Sequence, residues 1–422
     1  MIKHHVFVQI LSLIMADHSA AFSIVVGANP ALQKRFILSS KSPKLVPGDV
    51  HRASNIQVGI GGKGQDVAVT LGCLSAGTPN VYLAQFLGKG PEGDLALSLM
   101  KEILREKDDN CDGLTSALEA LTVRTDASLR TCTTIVAQDS ATELVEPSGM
   151  ISPGEIQMLF DKIDQFTSHQ EARGLCIMGS MPPGCPDNLY GAIFEKAMTN
   201  NPQAVAIIDT VVGLEYLFEQ MKANRDVTHG KRILKVNFAE LCRLANVYVK
   251  SETSEASLEQ INHAVNGFLS TFAGALTALD CIAITNGCHP AHLACIQREA
   301  KEAEDAISKL FRIKVPSLSI VQKRNQSKIF PIGAGDSVAA GTLAACEYLC
   351  TNDGHTERLH SSVQNALKQK LDNTCANPAA VSFAFGIACG SASCIQEENS
   401  VLDVDDVLTL FKNVDIEEIL TK

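Results

Sequence analysis

Short apolar runs alternate with stretches of helical periodicity along most of this chain, and this alternation constrains the fold more than any other feature. The runs are rich in β-branched residues and end in glycine, serine, threonine, aspartate or asparagine. They are FSIVVG (22–27), VYLAQFLG (81–88), GLCIMGS (174–180), AVAIIDT (204–210), RILKVN (232–237) and CIAITNG (281–287). Continuous apolar strands separated by amphipathic helices predict a mostly parallel sheet covered on both faces. Ligand sites in such sheets lie at the carboxyl ends of the strands.

Two segments, 34–60 and 121–147, lack helical periodicity, and part of the second alternates polar and apolar residues. This pattern predicts a small separate sheet that forms a lid over the site. Polar stretches elsewhere are interpreted as surface loops or helices. They are 105–120, 222–231, 250–258, 299–310 and 351–374.

The chain has 422 residues and a formal net charge of −11. Such an acidic protein is a poor candidate for binding duplex nucleic acid or an anionic membrane, so anionic substrates must be held by local basic groups and backbone dipoles. The fourteen cysteines form no CxxC pair, and most lie in apolar runs. This usage favours buried, reduced thiols in a reducing compartment over zinc sites or disulfides.

The N-terminal segment, residues 1–21, carries the short apolar stretch VFVQILSLIMA before DHSAAF. It resembles a short signal peptide, and weakly a plastid presequence with an Ala–Phe junction before Phe22. The stretch is too short to span a bilayer. A disordered extension is the alternative. The expected location is the cytoplasm, or a plastid or other organelle if residues 1–21 are a targeting segment.

The run Gly333-Ala334-Gly335-Asp336 opens a helix that has no large side chain in its first turn. Free backbone amides and the helix dipole form an anion-binding site at such a start. An aspartate there would repel an anion, unless it takes a proton from a hydroxyl that attacks the bound phosphate. The run therefore indicates phosphoryl transfer from a nucleotide to an alcohol. The alternative is close helix packing, with Asp336 as an N-cap.

The segment GIGGKGQD, residues 59–66, fits G-x-G-x-x-G through Gly59, Gly61 and Gly64. The next apolar run lacks the acidic residue of a dinucleotide site, and the segment does not match a Walker A loop. We interpret its glycines as allowing the backbone to approach a ligand, with Lys63 pairing with an anion. A glycine-rich turn with a solvated lysine is the alternative.

Two further strand ends carry polar groups suited to a nucleotide. In KVNFAE, Lys235 could reach phosphates, while Asn237 and Glu240 lie three residues apart and could order Mg²⁺ and its waters. In TNG, Thr285 and Gly287 could offer a hydroxyl and a backbone face to the nucleotide. The alternatives are an ordinary helix cap with a capping glutamate, and a plain turn.

Together these segments closely resemble the PfkB family of carbohydrate kinases, nearest to its 1-phosphofructokinase and tagatose-6-phosphate kinase branch. Four further stretches carry the resemblance, in the order and spacing of the family. They are ANPALQ (28–33), GGKGQDVAVTLGCLSAG (61–77), GSMPPGCPDNLY (179–190) and NPAAVSFAFGIACGSAS (377–393). The resemblance covers most of residues 22–412. It implies a ribokinase-like three-layer α/β/α sandwich with a small β lid and a kinase domain over residues 22–415.

The resemblance implies an ATP-dependent, Mg²⁺-assisted kinase of a sugar phosphate such as a fructose or tagatose phosphate. By the same resemblance, Asp336 is the general base beside the anion hole formed by Gly333, Ala334 and Gly335. Asn237 and Glu240 would organise Mg²⁺. The groups that contact the nucleotide would be Lys235, Asn237, Thr285 and Gly287. The groups that contact the sugar phosphate are Gln33, Gly62, Lys63, Asp66 and Arg130. Lys63 and Arg130 would meet the phosphate already on the sugar, and a homodimer is compatible with the sequence.

Four positions depart from the family pattern, namely Gln33, Asp66, Phe330 and Pro331. Gln33 stands where the family has a sugar-binding aspartate, and Asp66 where it has an asparagine. We hypothesise that these two changes compensate and keep one charged acceptor for sugar hydroxyls. Pro331, before the anion hole, removes one backbone donor. A kinase of a neutral sugar or nucleoside, and a catalytically silent relative that acts as a binding protein, remain alternative interpretations.

Overall fold

The computed structural model describes most of the chain. The described residues are 22–39, 44–76, 81–105, 118–137, 141–168, 172–198, 201, 203–224, 230–248, 255–297, 300, 302–321, 329–350, 359–374 and 377–421. The N-terminal segment 1–21 lies outside them, as do parts of all five polar stretches. Among the described residues, none of the helices combines the length and the apolarity that crossing a bilayer requires.

The strands of the main sheet are short and mostly buried. They are β1 (Phe22–Val26), β4 (Val81–Gly88), β5 (Thr122–Thr125), β8 (Ala172–Met178), β9 (Val205–Asp209), β10 (Arg232–Asn237), β11 (Cys281–Asn286), β12 (His289–Ile296), β13 (Ile307–Ile313) and β14 (Ile416–Thr421). Their spatial order is β14-β13-β12-β11-β10-β9-β8-β1-β4-β5. From β5 to β11 all neighbours are parallel, whereas β11 to β14 are antiparallel.

The four remaining strands form a second sheet. They are β2 (Ala31–Leu38), β3 (Ala53–Gly61), β6 (Arg130–Val136) and β7 (Ala141–Val145), in the order β3-β2-β6-β7. The segments 34–60 and 121–147 thus supply a small separate sheet, with one correction. Residues 122–125 form β5, which pairs with β4 in the main sheet. Three of its four residues are buried, as in the other strands of the main sheet, and the alternating pattern begins only after it.

Helices cover the main sheet on both faces. They are α1 (Lys63–Leu74), α2 (Pro91–Arg105), α3 (Pro153–Thr167), α4 (Leu189–Met198), α5 (Leu214–Ala223), α6 (Phe238–Leu244), α7 (Leu258–Thr271), α8 (Ala275–Ala278), α9 (Ala334–Cys350), α10 (Ser361–Thr374), α11 (Pro378–Ser393) and α12 (Val404–Lys412). Helices α9 and α11 pack tightly, since a Cβ on Gly341 would lie 2.6 Å from the Cys389 sulfur.

The core forms two layers, one on each face of the main sheet. Along β1, Val25 packs into one layer, while Ile24 and Val26 pack into the other. Successive residues of a strand point to opposite faces, so a strand buried on both sides reads as a continuous apolar run. The predicted mostly parallel sheet with both faces covered is confirmed.

The antiparallel edge is the part of the sheet that the sequence interpretation missed. Strand β13 begins at Ile307, inside the stretch 299–310 that was expected to be a surface loop or helix. Strand β14 covers Ile416–Thr421, so the sheet extends past the expected domain boundary at residue 415. The charged residues of β13 are half-exposed and those of β14 are exposed, so both strands lack the continuous apolar pattern of the parallel strands.

Candidate active site

Two cavities meet at the carboxyl ends of the central strands. The smaller has a volume of about 350 Å³ and lies under the second sheet, and the larger has a volume of about 1340 Å³. Lys63, Glu240 and Asp336 line both cavities. The structure therefore provides two adjoining spaces with one carboxylate–lysine group at the point where they meet.

Asp336 reaches this meeting point because it lies in the first turn of α9. Gly333, just before the helix, has φ of +81°, a left-handed conformation that glycine adopts without strain. The predicted row of free amides is only partly correct. The Ala334 N–H donates to the Pro331 carbonyl at 3.2 Å, and the Asp336 N–H donates to the Gly333 carbonyl at 3.0 Å. In the described part of the chain, no backbone bond uses the N–H of Gly333 or Gly335.

Asp209, at the end of β9, joins the two lysines of the site. Its Oδ1 lies 2.6 Å from the Lys63 Nζ and its Oδ2 lies 2.6 Å from the Lys235 Nζ. Burial alone would raise the pKa of Asp209, but the charges of Lys235 and Lys63 overcome burial and hold it below its usual value. Asp209 therefore remains ionised and fixes the position of both ammonium groups.

Asp336 lies in a different electrostatic environment. Burial, and then the negative charge of Asp209, raise its pKa to about 7 against the opposing charges of Lys235 and Lys63. An aspartate with this pKa can both accept and release a proton near neutral pH. This property suits a general base.

Asp66 lies in the first turn of α1 and faces the smaller cavity. Burial, and then the charge of Asp336 and a hydrogen bond to its carboxyl, raise the pKa of Asp66 well above the usual value. Its Oδ1 has no hydrogen-bond partner among the described residues. Burial therefore opposes the charged form of Asp66 that the hypothesis requires, and the hypothesis itself stays a prediction. A neutral carboxyl offers one donor and one acceptor oxygen, as an asparagine amide offers a donor and an acceptor.

Asn237 and Glu240 form the reciprocal cap that the sequence alternative described. Asn237 Oδ1 accepts from the Glu240 N–H at 2.8 Å, and Glu240 Oε2 accepts from the Asn237 N–H at 3.0 Å. The other carboxylate oxygen of Glu240 lies 3.6 Å from the Lys63 Nζ. Among the described residues, no group of three or more His, Cys, Asp or Glu side chains is arranged to hold a metal. The cap leaves Glu240 Oε1 as the carboxylate oxygen that could order a water molecule of a phosphate-bound Mg²⁺.

The residues expected around a sugar phosphate come together in the smaller cavity. Gly62, Lys63 and Asp66 line it from the start of α1. Gln33 and Arg130 line it from the second sheet. The Gln33 amide donates to Thr134 Oγ1 at 2.6 Å, and the Arg130 guanidinium donates to the Asn29 carbonyl at 3.0 Å.

The residues expected around a nucleotide line the larger cavity. Lys235, Asn237, Thr285 and Gly287 all face it. Gly287 has φ of +59°, in the tight turn between β11 and β12. Gly335 lines the same cavity and lies beside Lys235, whose Nζ would be 3.0 Å from a Cβ at that position. A side chain at Gly335 would therefore crowd the lysine.

Crystal structures of three sugar kinases match this arrangement of sheets and helices. The similarity to phosphofructokinase-2 from Escherichia coli, in complex with fructose-6-phosphate, has a TM-score of 0.58 at 16% identity, covering 93% of this chain and 99% of that chain. The similarity to a possible 1-phosphofructokinase from Thermotoga maritima has a TM-score of 0.60 at 14% identity, covering 94% of this chain and 100% of that chain. The similarity to ribokinase from Giardia lamblia has a TM-score of 0.60 at 14% identity, covering 92% of this chain and 99% of that chain. The chain has the ribokinase-like fold.

At this level of identity the likeness establishes the fold, and the predicted ribokinase-like sandwich is confirmed. No protein-family model and no curated protein sequence matches the chain. Within the ribokinase-like fold, Asp209 is the site residue that the sequence interpretation did not single out. Its signal was present, because AVAIIDT is a buried apolar strand that ends in a carboxylate at the edge where sites form.

Proposed function

We propose that this protein transfers the γ-phosphoryl group of ATP to a hydroxyl of a sugar phosphate of the fructose- or tagatose-phosphate type. The observation that carries the proposal is the meeting of two cavities at Asp336. A phosphoryl donor and an acceptor must approach each other in line, and a base must stand beside the acceptor hydroxyl. Two adjoining spaces with a carboxyl of pKa about 7 between them satisfy both requirements.

In this proposal, ATP occupies the larger cavity and its γ-phosphate lies against the start of α9. The N–H groups of Gly333 and Gly335 stabilise the transferring group, and Lys235 offsets the charge that accumulates on it. Mg²⁺, when bound, supplies further charge neutralisation on the phosphates. Asp336 accepts the proton of the sugar hydroxyl, a contribution typically worth ~10²–10⁴-fold in rate.

The acceptor occupies the smaller cavity. Arg130 enters from the second sheet and Lys63 from α1, so both can pair with the phosphate already on the sugar. The Asp66 carboxyl, whose pKa burial raises, and the Gln33 amide offer hydrogen bonds to the sugar hydroxyls. The second sheet acts as a lid that excludes water and suppresses ATP hydrolysis.

A kinase of a neutral sugar or nucleoside is the second candidate, and one observation favours it. Lys63 is bonded to Asp209 and lies 3.6 Å from Glu240, so much of its charge is already neutralised. Arg130 would then carry most of the attraction for a phosphate. Activity on a neutral sugar that survives the loss of both basic residues would support this second candidate.

The test is a panel of ketohexose phosphates and neutral ketohexoses with ATP and Mg²⁺, assayed with the intact protein and with Asp336→Asn. The asparagine is close in size to the aspartate, so the variant is expected to fold. We expect turnover of at least one sugar phosphate by the intact protein and a loss of ~10²-fold or more in Asp336→Asn. If the intact protein turns over no member of the panel, the binding-protein alternative replaces the proposal.

A further inference from the structure

Three fully buried hydroxyl groups form a network behind the anion hole. They belong to Thr70 on α1, Ser337 on α9 and Ser400 in the turn after α11. Thr70 Oγ1 donates to the Ser400 carbonyl at 2.8 Å and lies 3.0 Å from the Ser337 Oγ. None of the three lines either cavity. A hydroxyl buried away from water destabilises the fold unless it is hydrogen-bonded. The burial of these three hydroxyls therefore indicates a structural role.

Ser400 is the member of this network that contacts the anion hole. Its Oγ donates to the Gly333 carbonyl at 3.1 Å. The same carbonyl accepts from the Asp336 N–H at 3.0 Å and from the Ser337 N–H at 2.9 Å. Three donors therefore fix the plane of the peptide between Gly333 and Ala334. That peptide lies between the two amides that no backbone bond uses.

Ser400 also has an unusual backbone. Its φ is +59°, in the left-handed region where glycine and asparagine are far more common than serine. A Cβ on Gly333 would lie 2.4 Å from the Ser400 Oγ, so the two left-handed residues are packed directly against each other. Backbone of this kind persists only where the surroundings impose it, and it is concentrated at functional sites.

We propose that Ser400 is a positioning residue that holds the anion hole in its active geometry. Its hydroxyl orients the Gly333–Ala334 peptide and so aims the N–H groups of Gly333 and Gly335 at the transferring phosphoryl group. The proposal rests on the proposed function, since it assigns that phosphoryl group to these amides. Ser400 touches no substrate in this account and acts only through Gly333.

The turn that carries Ser400 is also attached to the second sheet. Arg35 on β2 donates to the carbonyl of Glu397 and to the side-chain oxygen of Asn399. Its guanidinium lies 5.5 Å from the centre of the Phe330 ring, three residues before Gly333. A displacement of the second sheet would therefore move the turn that carries Ser400 through Arg35, and would move Gly333 through Ser400.

The first test compares Ser400→Ala and Ser400→Gly with Ser393→Ala. Ser393 is a matched control, because it is equally buried and its hydroxyl bonds locally to the Gly390 carbonyl. Ser400→Ala removes the hydroxyl and keeps the backbone strain, whereas Ser400→Gly removes both. We expect kcat to fall about 10-fold or more in both Ser400 variants, with KM for ATP and for the sugar phosphate within about twofold. Ser393→Ala should keep the wild-type kcat.

The second test measures amide hydrogen exchange at Asp336 and Ser337, whose N–H groups donate to the Gly333 carbonyl, in the protein without substrates. We expect faster exchange in the Ser400 variants and no change in Ser393→Ala. Wild-type kcat in a folded Ser400→Ala, or unchanged exchange in it, would overturn the role of Ser400. If Ser400→Ala does not fold, Ser400→Gly gives the same comparison. An inactive wild type would contradict the proposed function instead, and the exchange measurement would still decide the role of Ser400.

Discussion

The carboxyl groups of Asp66 and Asp336 line the same cavity, although they belong to helices separated by 270 residues of sequence. Two buried carboxyls that interact disfavour each other's ionised form. Burial raises the pKa of Asp336 to about 7 and that of Asp66 well above its usual value. The two carboxyls therefore titrate as a coupled pair, and Asp336 is the member whose pKa lies near neutrality.

The first prediction concerns the pH dependence of catalysis. A general base must be ionised to accept a proton, so kcat/KM should rise with pH and level off above the pKa of Asp336, about 7. Asp66→Asn should leave this rise at about the same pH, because the charges that shift the pKa of Asp336 most are those of Asp209, Lys235 and Lys63. The measurement is kcat/KM for the best sugar substrate from pH 5 to pH 9. If kcat/KM of the wild type rose near pH 4 instead of near pH 7, Asp336 with its raised pKa would not be the general base.

The second prediction concerns stability. The pKa of Asp336 is raised in the folded state, so the unfolded chain releases this proton at lower pH than the folded chain does. Stability therefore falls as pH rises from about 4 to about 7. Asp336→Asn removes this effect and should be more stable than the wild type at pH 8, by a few kcal/mol, since each pKa unit is worth about 1.4 kcal/mol. Urea unfolding of both proteins at several pH values checks this, and a constant difference across the range would contradict it.

The third prediction concerns Asp209. Asp209→Asn leaves Lys235 buried without its carboxylate partner, and breaking a buried ion pair in this way costs about 3–5 kcal/mol. The matched control is Asp164→Asn, whose exposed pair with Lys196 should contribute about 1 kcal/mol or less. Because the pKa of Asp209 is lowered in the fold, its contribution is present above its unfolded pKa and is lost as pH falls through the folded value. Denaturant unfolding at neutral pH should show a midpoint far lower for Asp209→Asn than for Asp164→Asn, and equal midpoints would count against the bridging role.

The fourth prediction separates sugar phosphates from neutral sugars. Arg130→Met removes a cation from the smaller cavity while keeping a long apolar side chain. We expect KM for the sugar phosphate to rise about 10-fold or more, since charge-assisted hydrogen bonds contribute about 1.5–3 kcal/mol. The control is Arg124→Met, because Arg124 pairs with Asp94 and lines neither cavity. An unchanged KM in Arg130→Met would favour the neutral-sugar candidate.

The sequence was most informative where one segment carries both structure and chemistry. The run from Gly333 to Asp336 predicted a helix start with an acid in its first turn, and the apolar runs predicted the parallel strands. The antiparallel edge strands were missed because β13 and β14 are half-exposed and lack a continuous apolar pattern. The ionisation of the buried carboxyls was the other property that the sequence did not predict. The raised pKa of Asp66 depends on burial and on Asp336, which lies far away in the sequence.

In the proposed reaction, a sugar hydroxyl meets a phosphoryl group beside Asp336. The decisive measurement is a crystal structure of the protein with a non-hydrolysable ATP analogue, Mg²⁺ and the best sugar phosphate. We expect the γ-phosphate within hydrogen-bonding distance of the Gly333 and Gly335 amides and a sugar hydroxyl about 2.6–3.2 Å from the Asp336 carboxyl. A sugar bound outside the smaller cavity, or a γ-phosphate remote from the start of α9, would contradict it.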